Sequence, residues 1–298
     1  MEAVRPVKKI ALFWKLARPF TLLAPSVGVV AGAVVASRGA PPFQSLFAIA
    51  AAAFLNAASN SVNQIFDLPI DRINKPDRIL PSGKLSLKEA WGMAALFFAA
   101  SFTAAWQVWN RQFFAIVLAA ACITFFYSSP PVRAKRFPFL ANFWIALPRG
   151  TLLVVSGWAS VRNIWDPEIW ILGALFGLFV FGAATTKDFS DVEGDLRYGC
   201  RTLPSLLGFR GAALFMVPFL VFPFLGFPLF GSLGFLRGRA SVLLGLGLFL
   251  SAWGLYVTGL ILQKPEALAV DKNHVSWKHM YLMLMTAQVG VALAYWGL

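Results

Sequence analysis

Charge, cysteine and histidine are all scarce in this 298-residue sequence. Asp, Glu, Lys and Arg make up 13% of the residues, against roughly 25% in an ordinary soluble domain. Hydrophobic residues reach 58%, including 29 Phe and 11 Trp. So little charge excludes a soluble enzyme and a disordered chain, and two cysteines exclude a disulfide scaffold. The two histidines, His274 and His279, lie far in sequence from the acidic loops, and we interpret them as interfacial packing groups.

The hydrophobic residues fall in long runs that are typical of membrane helices. A helix needs about 20 apolar residues to cross the hydrocarbon core of a bilayer. Because the sequence contains about nine such runs, we predict an all-α, polytopic membrane protein with about nine transmembrane helices. The basic start resembles a signal peptide, but no cleavage site follows, so we expect the first helix to be retained. The runs are 20–37, 46–66, 90–108, 113–128, 140–161, 169–186, 211–235, 241–262 and 280–298.

Basic residues are distributed unevenly among the predicted loops. Of the 26 Lys and Arg residues, 20 lie in the N-terminal segment and the loops after even-numbered spans, and Arg149 lies inside a span. This bias places the N-terminus and the even-numbered loops in the cytoplasm. The net charge of +13 therefore reflects topology, and nucleic acid is not an expected partner. We expect a multi-pass protein of the cell's inner or plasma membrane, with no obligate protein partner.

Two of these loops contain a related pattern of acids. Adding 124 to the residue number takes Asp67 to Asp191 and Asp71 to Asp195. Self-similarity at a fixed offset indicates a duplicated unit. We predict one domain over 1–298, with half-repeats near 19–140 and 141–262 and a last helix at 278–298.

The spacing of these acids predicts two rows of oxygen ligands. Residues three or four apart lie on one face of a helix. Carboxylate and amide oxygens suit Mg²⁺, which is usually shared between one or two carboxylates and substrate phosphates. We therefore expect the rows to hold Mg²⁺ with a diphosphate between them, although interfacial acids also pair structurally with nearby Lys and Arg. The first acid row is Asn63, Asp67 and Asp71, and the second acid row is Asp188, Asp191 and Asp195.

These two rows resemble the motifs of the UbiA superfamily of intramembrane prenyltransferases. The family's motifs are written Asn-Asp-x-x-Asp-x-x-x-Asp and Asp-x-x-Asp-x-x-x-Asp, and the two acid rows match them in order. The chain departs from the family at Gln64, where many members carry Asp. It also places Tyr127 and Lys135 eight residues apart instead of four. The resemblance covers nearly the whole chain, with its specificity concentrated in the two loops.

The resemblance implies Mg²⁺-dependent transfer of a polyprenyl group from an allylic prenyl diphosphate to a lipophilic acceptor within the membrane, with release of pyrophosphate. The expected acceptor is an aromatic quinone precursor, with a glycerol-phosphate ether-lipid precursor or a tetrapyrrole as alternatives. The implied catalytic acids are Asp67, Asp71, Asp188 and Asp191, which would bind Mg²⁺ together with Asn63 and Asp195. The candidate substrate contacts are Arg72, Lys75, Arg78, Tyr127, Lys135, Lys187, Arg201, Arg18 and Arg149.

A secondary transporter is the alternative from another functional class. Transporters also use internal repeats and polar groups inside the membrane. Their sites usually lie near the bilayer midplane, however, whereas the two acid rows lie at one predicted interface. The sequence therefore favours an enzyme, and Arg149 is either a substrate contact or half of a structural pair between helices.

Overall fold

The computed structural model describes residues 6–270 and 274–298, and every regular element in these ranges is helical. Arg5 and Lys272, which contribute to the charge bias, lie outside the described residues. The α-helices are α1 Pro6–Ala17, α2 Leu23–Ser37, α3 Gln44–Phe66, α4 Leu68–Asn74, α5 Leu87–Trp106, α6 Arg111–Ser128, α7 Pro138–Ala146, α8 Leu152–Ala159, α9 Pro167–Ala183, α10 Thr186–Phe189, α11 Val192–Arg197, α12 Leu203–Ser232, α13 Ala240–Gln263, α14 Ala267–Val270 and α15 Val275–Tyr295.

Seven helical segments of the described chain are long and apolar enough to cross a membrane. Large apolar side chains also face outward, including Leu96, Phe222 and Phe249, each more than half exposed. Such surfaces suit lipid as the solvent. The prediction of an all-α polytopic membrane protein is confirmed. Helices α5 and α15 coincide with two predicted spans but do not meet the same criterion, so the count of nine remains a prediction.

Helices α7 and α8 form one membrane segment interrupted by a π-helical turn, Leu147–Thr151. Pro148 lies in this turn, and a proline removes a backbone donor from the helical ladder. Turns of this kind inside helices are frequent at functional sites. The turn carries Arg149 at mid-segment, as the sequence predicted for this residue's position.

The close packing of α2 against α8 depends on two glycines. A Cβ on Gly32 would lie 2.0 Å from the carbonyl oxygen of Val154, and a Cβ on Gly157 would lie 2.1 Å from that of Val29. In membranes, small residues let helix backbones approach this closely. The crossing fixes the position of α8, which forms one wall of an apolar cavity beside the candidate site.

A polar cluster joins three elements at the end of the bundle opposite the acid rows. Glu168, which is 2% exposed, accepts hydrogen bonds from the Tyr295 hydroxyl at 2.6 Å and from Arg237 Nε at 2.9 Å. Asp166 also pairs with Arg237. Because a buried carboxylate is stable only when it is paired and hydrogen-bonded, this cluster fastens the starts of α9 and α13 to the end of α15.

Candidate active site

The first acid row crosses a break between two helices. The spacing predicts one helical face, but α3 ends at Phe66 and α4 begins at Leu68, with Asp67 between them. The backbone amide of Asp67 still donates to the Asn63 carbonyl at 2.9 Å, and that of Asp71 donates to the Asp67 carbonyl at 2.7 Å. The one-turn spacing is therefore preserved, and the three side chains stay in a row.

Each acid of the first row has a basic partner. Asp67 accepts a hydrogen bond from Asn63 Nδ2 at 2.7 Å and pairs with Lys135, which is 6% exposed. Arg78 Nη1 donates to both carboxylate oxygens of Asp71, at 2.7 and 2.6 Å. Burial raises the pKa of Asp71, and the opposing charge of Arg78 offsets only part of that effect.

The second acid row follows α9 and is also interrupted. Asp188 lies in the short helix α10 and accepts a hydrogen bond from Lys187 at 2.6 Å, and Lys187 also donates to the Tyr127 hydroxyl at 3.0 Å. Asp191 lies between α10 and α11, so it occupies the same place in its row as Asp67 does in the first. The two middle acids thus each join two helices.

The two loops are fastened to each other by Asn74 and Lys75. Lys75 Nζ donates to Asp191 Oδ2 at 2.6 Å. The Asn74 side chain donates to the Asp191 carbonyl at 2.9 Å and accepts from the Gly194 amide at 3.0 Å. A Cβ on Gly194 would lie 2.6 Å from the Asn74 amide group. These contacts hold the acid rows beside each other, and we call them the Asn74 clasp.

The electrostatic environments of the second-row acids differ. Burial acts to raise the pKa of Asp191, but the charge of Lys75 and its hydrogen bond outweigh burial and leave that pKa below the ordinary value. Burial raises the pKa of Asp195 to about 7. Asp195 makes no ion pair within the described residues. It is therefore the second-row carboxylate without a fixed partner.

The oxygen atoms of the two acid rows suit a Mg²⁺ ion that is shared with a phosphate ligand. Within residues 6–270 and 274–298, no three acidic, His or Cys side chains converge on one point. Mg²⁺ does not require such a cage, because it usually takes one or two carboxylates and completes its shell with water and substrate phosphate oxygens. Each row offers carboxylate oxygens, and Asn63 adds an amide oxygen. The arrangement fits the ion chemically.

The predicted phosphate contacts divide into two groups. Lys75, Arg78, Lys135 and Lys187 all reach the acid rows through the ion pairs described above, and Tyr127 joins them through Lys187. Arg72 and Arg201 are exposed instead. Their side chains make no hydrogen bond to the described part of the chain, so the structure does not bring them to the acid rows.

Amide side chains of α3 fix the chain around Arg18. Asn56 Nδ2 donates to the Thr21 carbonyl at 2.9 Å and Asn60 Nδ2 to the Ala17 carbonyl at 2.9 Å. Arg18 lies between these carbonyls with φ 54, in the left-handed region, which a non-glycine residue adopts at an energetic cost. These bonds, together with one from Gln64 to the end of α1, explain how the conformation is held.

Gln64 belongs to this support and not to the acid rows. It is 4% exposed, and its amide donates to the Leu16 carbonyl at 2.8 Å and to the Asn60 carbonyl at 3.0 Å. The side chain therefore points toward the end of α1. An Asp at this position, as many family members have, would also face α1. The presence of Gln64 in its place therefore leaves Asn63 and Asp67 in the acid row unchanged.

Arg18 and Arg149 both retain unused hydrogen-bonding capacity. The Nη2 atom of Arg18 is buried and makes no hydrogen bond within the described chain, although Asp67 and Asp71 are among its charged neighbours. Arg149 donates to Asn60 Oδ1 in a long bond of 3.4 Å. A buried guanidinium with free donors favours an anionic ligand. The structure shows no carboxylate partner for Arg149 within the described residues.

An apolar cavity lies between the helices beneath the acid rows. Its walls come from α2, α3, α6, α8 and the π-helical turn. On α3 the lining residues Ala52, Asn56 and Ser59 continue at helical spacing into Asn63 and Asp67. One face of α3 therefore passes from an apolar wall to the charged site.

Comparison with known proteins agrees with this geometry. The model of the UbiA prenyltransferase family matches residues 26–295. The chain belongs to the UbiA prenyltransferase family. This membership confirms the predicted family and enzyme class, and it counts against the transporter alternative.

Two curated relatives of this UbiA family member are 31% identical to it. The probable homogentisate phytyltransferase 2 of Oryza sativa aligns over 67% of this chain and 56% of its own length. The digeranylgeranylglyceryl phosphate synthase of Thermococcus kodakarensis aligns over 67% and 70%. Their names give different acceptors, so the family assignment alone does not select one.

Solved structures of other proteins have the same fold as this UbiA family member. A UbiA homologue from Archaeoglobus fulgidus, described as bound to GPP and Mg²⁺, superposes with a TM-score of 0.74. It is 21% identical, and the match covers 95% of this chain and 99% of that one. At this identity the likeness establishes the fold, which brings the acid rows together at one end of the helix bundle.

Sequence reasoning missed two parts of this site in the UbiA family member. The Asn74 clasp could not be predicted from the sequence, because the partners of Asn74 are 117 and 120 residues away from it. Asn56 and Asn60 had a clearer signal, since amides one turn apart interrupt the apolar segment 46–66. Polar residues inside a membrane helix are functional candidates by default.

Proposed function

We propose that this protein transfers a polyprenyl group from an allylic prenyl diphosphate to a lipophilic acceptor within the membrane. The observation that carries this proposal is the face of α3 that joins the apolar cavity to the acid rows. An allylic diphosphate likewise has an apolar part, its prenyl tail, and a charged part, its diphosphate head. The tail occupies the cavity, and the head lies between the two rows, at the cytoplasmic surface of the membrane.

The residues perform three tasks in the transfer. Asp67, Asp71, Asp188 and Asp191 hold Mg²⁺, with Asn63 and Asp195 as further ligands. When bound, Mg²⁺ supplies positive charge to the leaving diphosphate. Lys75, Arg78, Lys135 and Lys187 contact its phosphate oxygens, which gain charge as the allylic carbon–oxygen bond breaks. The apolar cavity wall excludes water from the carbocation. The acceptor then forms a bond to the allylic carbon and loses a proton.

The acceptor is an aromatic quinone precursor in this proposal, and a glycerol-phosphate lipid is the second candidate. Each has support from a relative, the homogentisate phytyltransferase of rice and the digeranylgeranylglyceryl phosphate synthase of Thermococcus kodakarensis. Both kinds of acceptor can carry an anionic group. Arg18 and Arg149, with their free donors, are placed to bind such a group beside the cavity.

The proposal is tested by incubating the purified protein with labelled prenyl diphosphate, Mg²⁺ and each acceptor separately. We expect release of pyrophosphate and a product whose mass is the acceptor plus the prenyl group, minus a proton. Chelation of Mg²⁺ should abolish both signals. A product from only one acceptor would select it. Failure with every acceptor at every donor length, in protein that is folded, would contradict the proposal.

Arg149→Gln tests the acceptor site separately. A charge-assisted hydrogen bond contributes about 1.5–3 kcal/mol, so we expect the KM for the acceptor to rise about tenfold or more while the KM for the donor is unchanged. The matched control is Arg162→Gln, which removes an exposed arginine from a loop. Lower yield of folded protein with an unchanged acceptor KM would show that Arg149 is a structural residue only.

A further inference from the structure

A tyrosine of the last helix bonds to the turn that follows Arg18. The Tyr281 hydroxyl on α15 donates a hydrogen bond to the Phe20 carbonyl at 2.8 Å and accepts one from the Ala24 amide at 3.1 Å. Phe20 belongs to the 3₁₀ turn Pro19–Leu22, and Ala24 lies in the first turn of α2. One side chain thus bonds to the backbone on both sides of the junction between this turn and α2.

The sequence leaves this junction short of helical hydrogen bonds. An α-helix joins each amide to the carbonyl four residues earlier, but Pro25 has no amide proton to donate to the Thr21 carbonyl. Asn56 on α3 donates to that carbonyl instead, at 2.9 Å. The Tyr281 hydroxyl bonds to the amide and the carbonyl one residue earlier, which are also four residues apart. Side chains from two other helices therefore complete the start of α2.

The packing of α15 on α2 fixes the position of Tyr281. Its ring stacks on that of Phe20, with the ring centroids 4.7 Å apart. Further along α2, Gly28 leaves room for a side chain of α15, because a Cβ on Gly28 would lie 2.8 Å from Gln288 Nε2. These contacts hold the Tyr281 hydroxyl in a fixed place beside the turn.

This turn keeps Arg18 in a conformation that is costly on its own. The φ of 54 at Arg18 lies in the left-handed region, and such a conformation persists in a non-glycine residue only when the surroundings enforce it. The Thr21 hydroxyl donates to the Arg18 carbonyl at 2.8 Å and accepts from Asn60 Nδ2 at 2.8 Å, so α3 supports the turn. Tyr281 supports it from α15. Loss of the Tyr281 hydroxyl removes one of these two supports, and the Arg18 guanidinium then loses its fixed direction.

We propose that Tyr281 is a positioning residue for Arg18 and, through Arg18, for the anionic group of the acceptor. This inference rests on the proposed function, in which Arg18 binds that group. Tyr281 itself contacts neither substrate, because the hydrogen bonds of its hydroxyl go to the backbone. It therefore affects how the acceptor binds and not how the donor is cleaved at the acid rows.

The test is the KM for the acceptor in Tyr281→Phe, which keeps the ring and removes the hydroxyl. We expect this KM to rise at least about fivefold, while kcat and the KM for the donor change less than about twofold, since one neutral hydrogen bond is lost. KM does not depend on the amount of enzyme, so assays in native membranes report it even when little folded protein is obtained. The matched control is Tyr256→Phe on α13. Tyr256 is more than half exposed, its hydroxyl makes no hydrogen bond within the described chain, and the variant should keep the wild-type KM.

A double mutant separates the positioning of Arg18 from general support of the fold. If Tyr281 acts through Arg18, Tyr281→Phe has no further effect in a protein that already carries Arg18→Gln, whereas independent effects multiply. We therefore expect the acceptor KM values of Arg18→Gln and of the double mutant to agree within about twofold. An unchanged acceptor KM in Tyr281→Phe, or a further rise in the Arg18→Gln background, would overturn this inference and leave the transfer reaction in place. A wild-type protein that transfers to no acceptor would overturn the proposed function, and this inference with it.

Discussion

Asp67→Asn and Asp191→Asn are each expected to lower the rate of prenyl transfer on the order of 10³-fold, the cost of removing one fixed electrostatic stabiliser from a transition state. Each acid is the middle member of its row and pairs with a lysine, Lys135 or Lys75. The substitution removes a proposed metal ligand and leaves that lysine without its partner. Initial rates at saturating donor and acceptor, measured over a range of Mg²⁺ concentrations, check this prediction.

Asp77→Asn is the matched control for these variants. Asp77 lies in the same loop as Asp67 but is exposed, and its side chain makes no hydrogen bond within the described chain. It undergoes the same change of charge and should keep nearly the wild-type rate. If Asp67→Asn or Asp191→Asn also kept that rate, the acid rows would not be the diphosphate site. Comparable Tm values for all three variants would show that the rates report on the site and not on folding.

Gly157→Ala is expected to have the largest effect on stability. The added Cβ would lie 2.1 Å from the Val29 carbonyl oxygen and 3.0 Å from the Ala33 backbone nitrogen. Backbone atoms of a packed helix cannot move aside as a flexible side chain can. We expect a loss of about 3 kcal/mol or more, at the upper end of overpacking effects, together with displacement of α8 from the cavity.

The stability of Gly157→Ala is best compared with that of Gly259→Ala. A Cβ on Gly259 meets no atom within 4 Å, so that variant makes the same chemical change in a membrane helix without the clash. Thermal unfolding in detergent should show a much lower Tm for Gly157→Ala alone. Equal Tm values would mean that α2 and α8 separate easily, and that this crossing does not hold the cavity wall.

The sequence was sufficient for the features that depend on local pattern. Runs of apolar residues predicted the membrane helices, and the offset of 124 residues alone paired Asp67 with Asp191. Both signals are periodic or repeated, and they do not depend on how distant segments pack. The position of Arg149 within a span was visible for the same reason.

The features that the sequence could not provide depend on contacts between distant segments. The pairing of Lys75 with Asp191 joins residues 116 apart, and nothing in either loop specifies that partner. The direction of Gln64 could not be deduced, because its place on α3 next to Asn63 suggests the acid row, whereas α1 receives its hydrogen bond. The cavity was equally hidden, since the apolar residues of its wall have the same composition as those facing lipid.

The shared face of α3 fixes the helical register of the whole site. Ala52 and Ser59 line the cavity on the same face that carries Asn63 and Asp67. Each residue added to a helix rotates all later residues by about 100° about its axis. A single insertion between Ser59 and Asn63 would therefore leave the cavity and the acid row each intact, yet turn the acids away from the cavity mouth. The number of residues between the cavity wall and the acid row is thus as strictly constrained as the acids themselves.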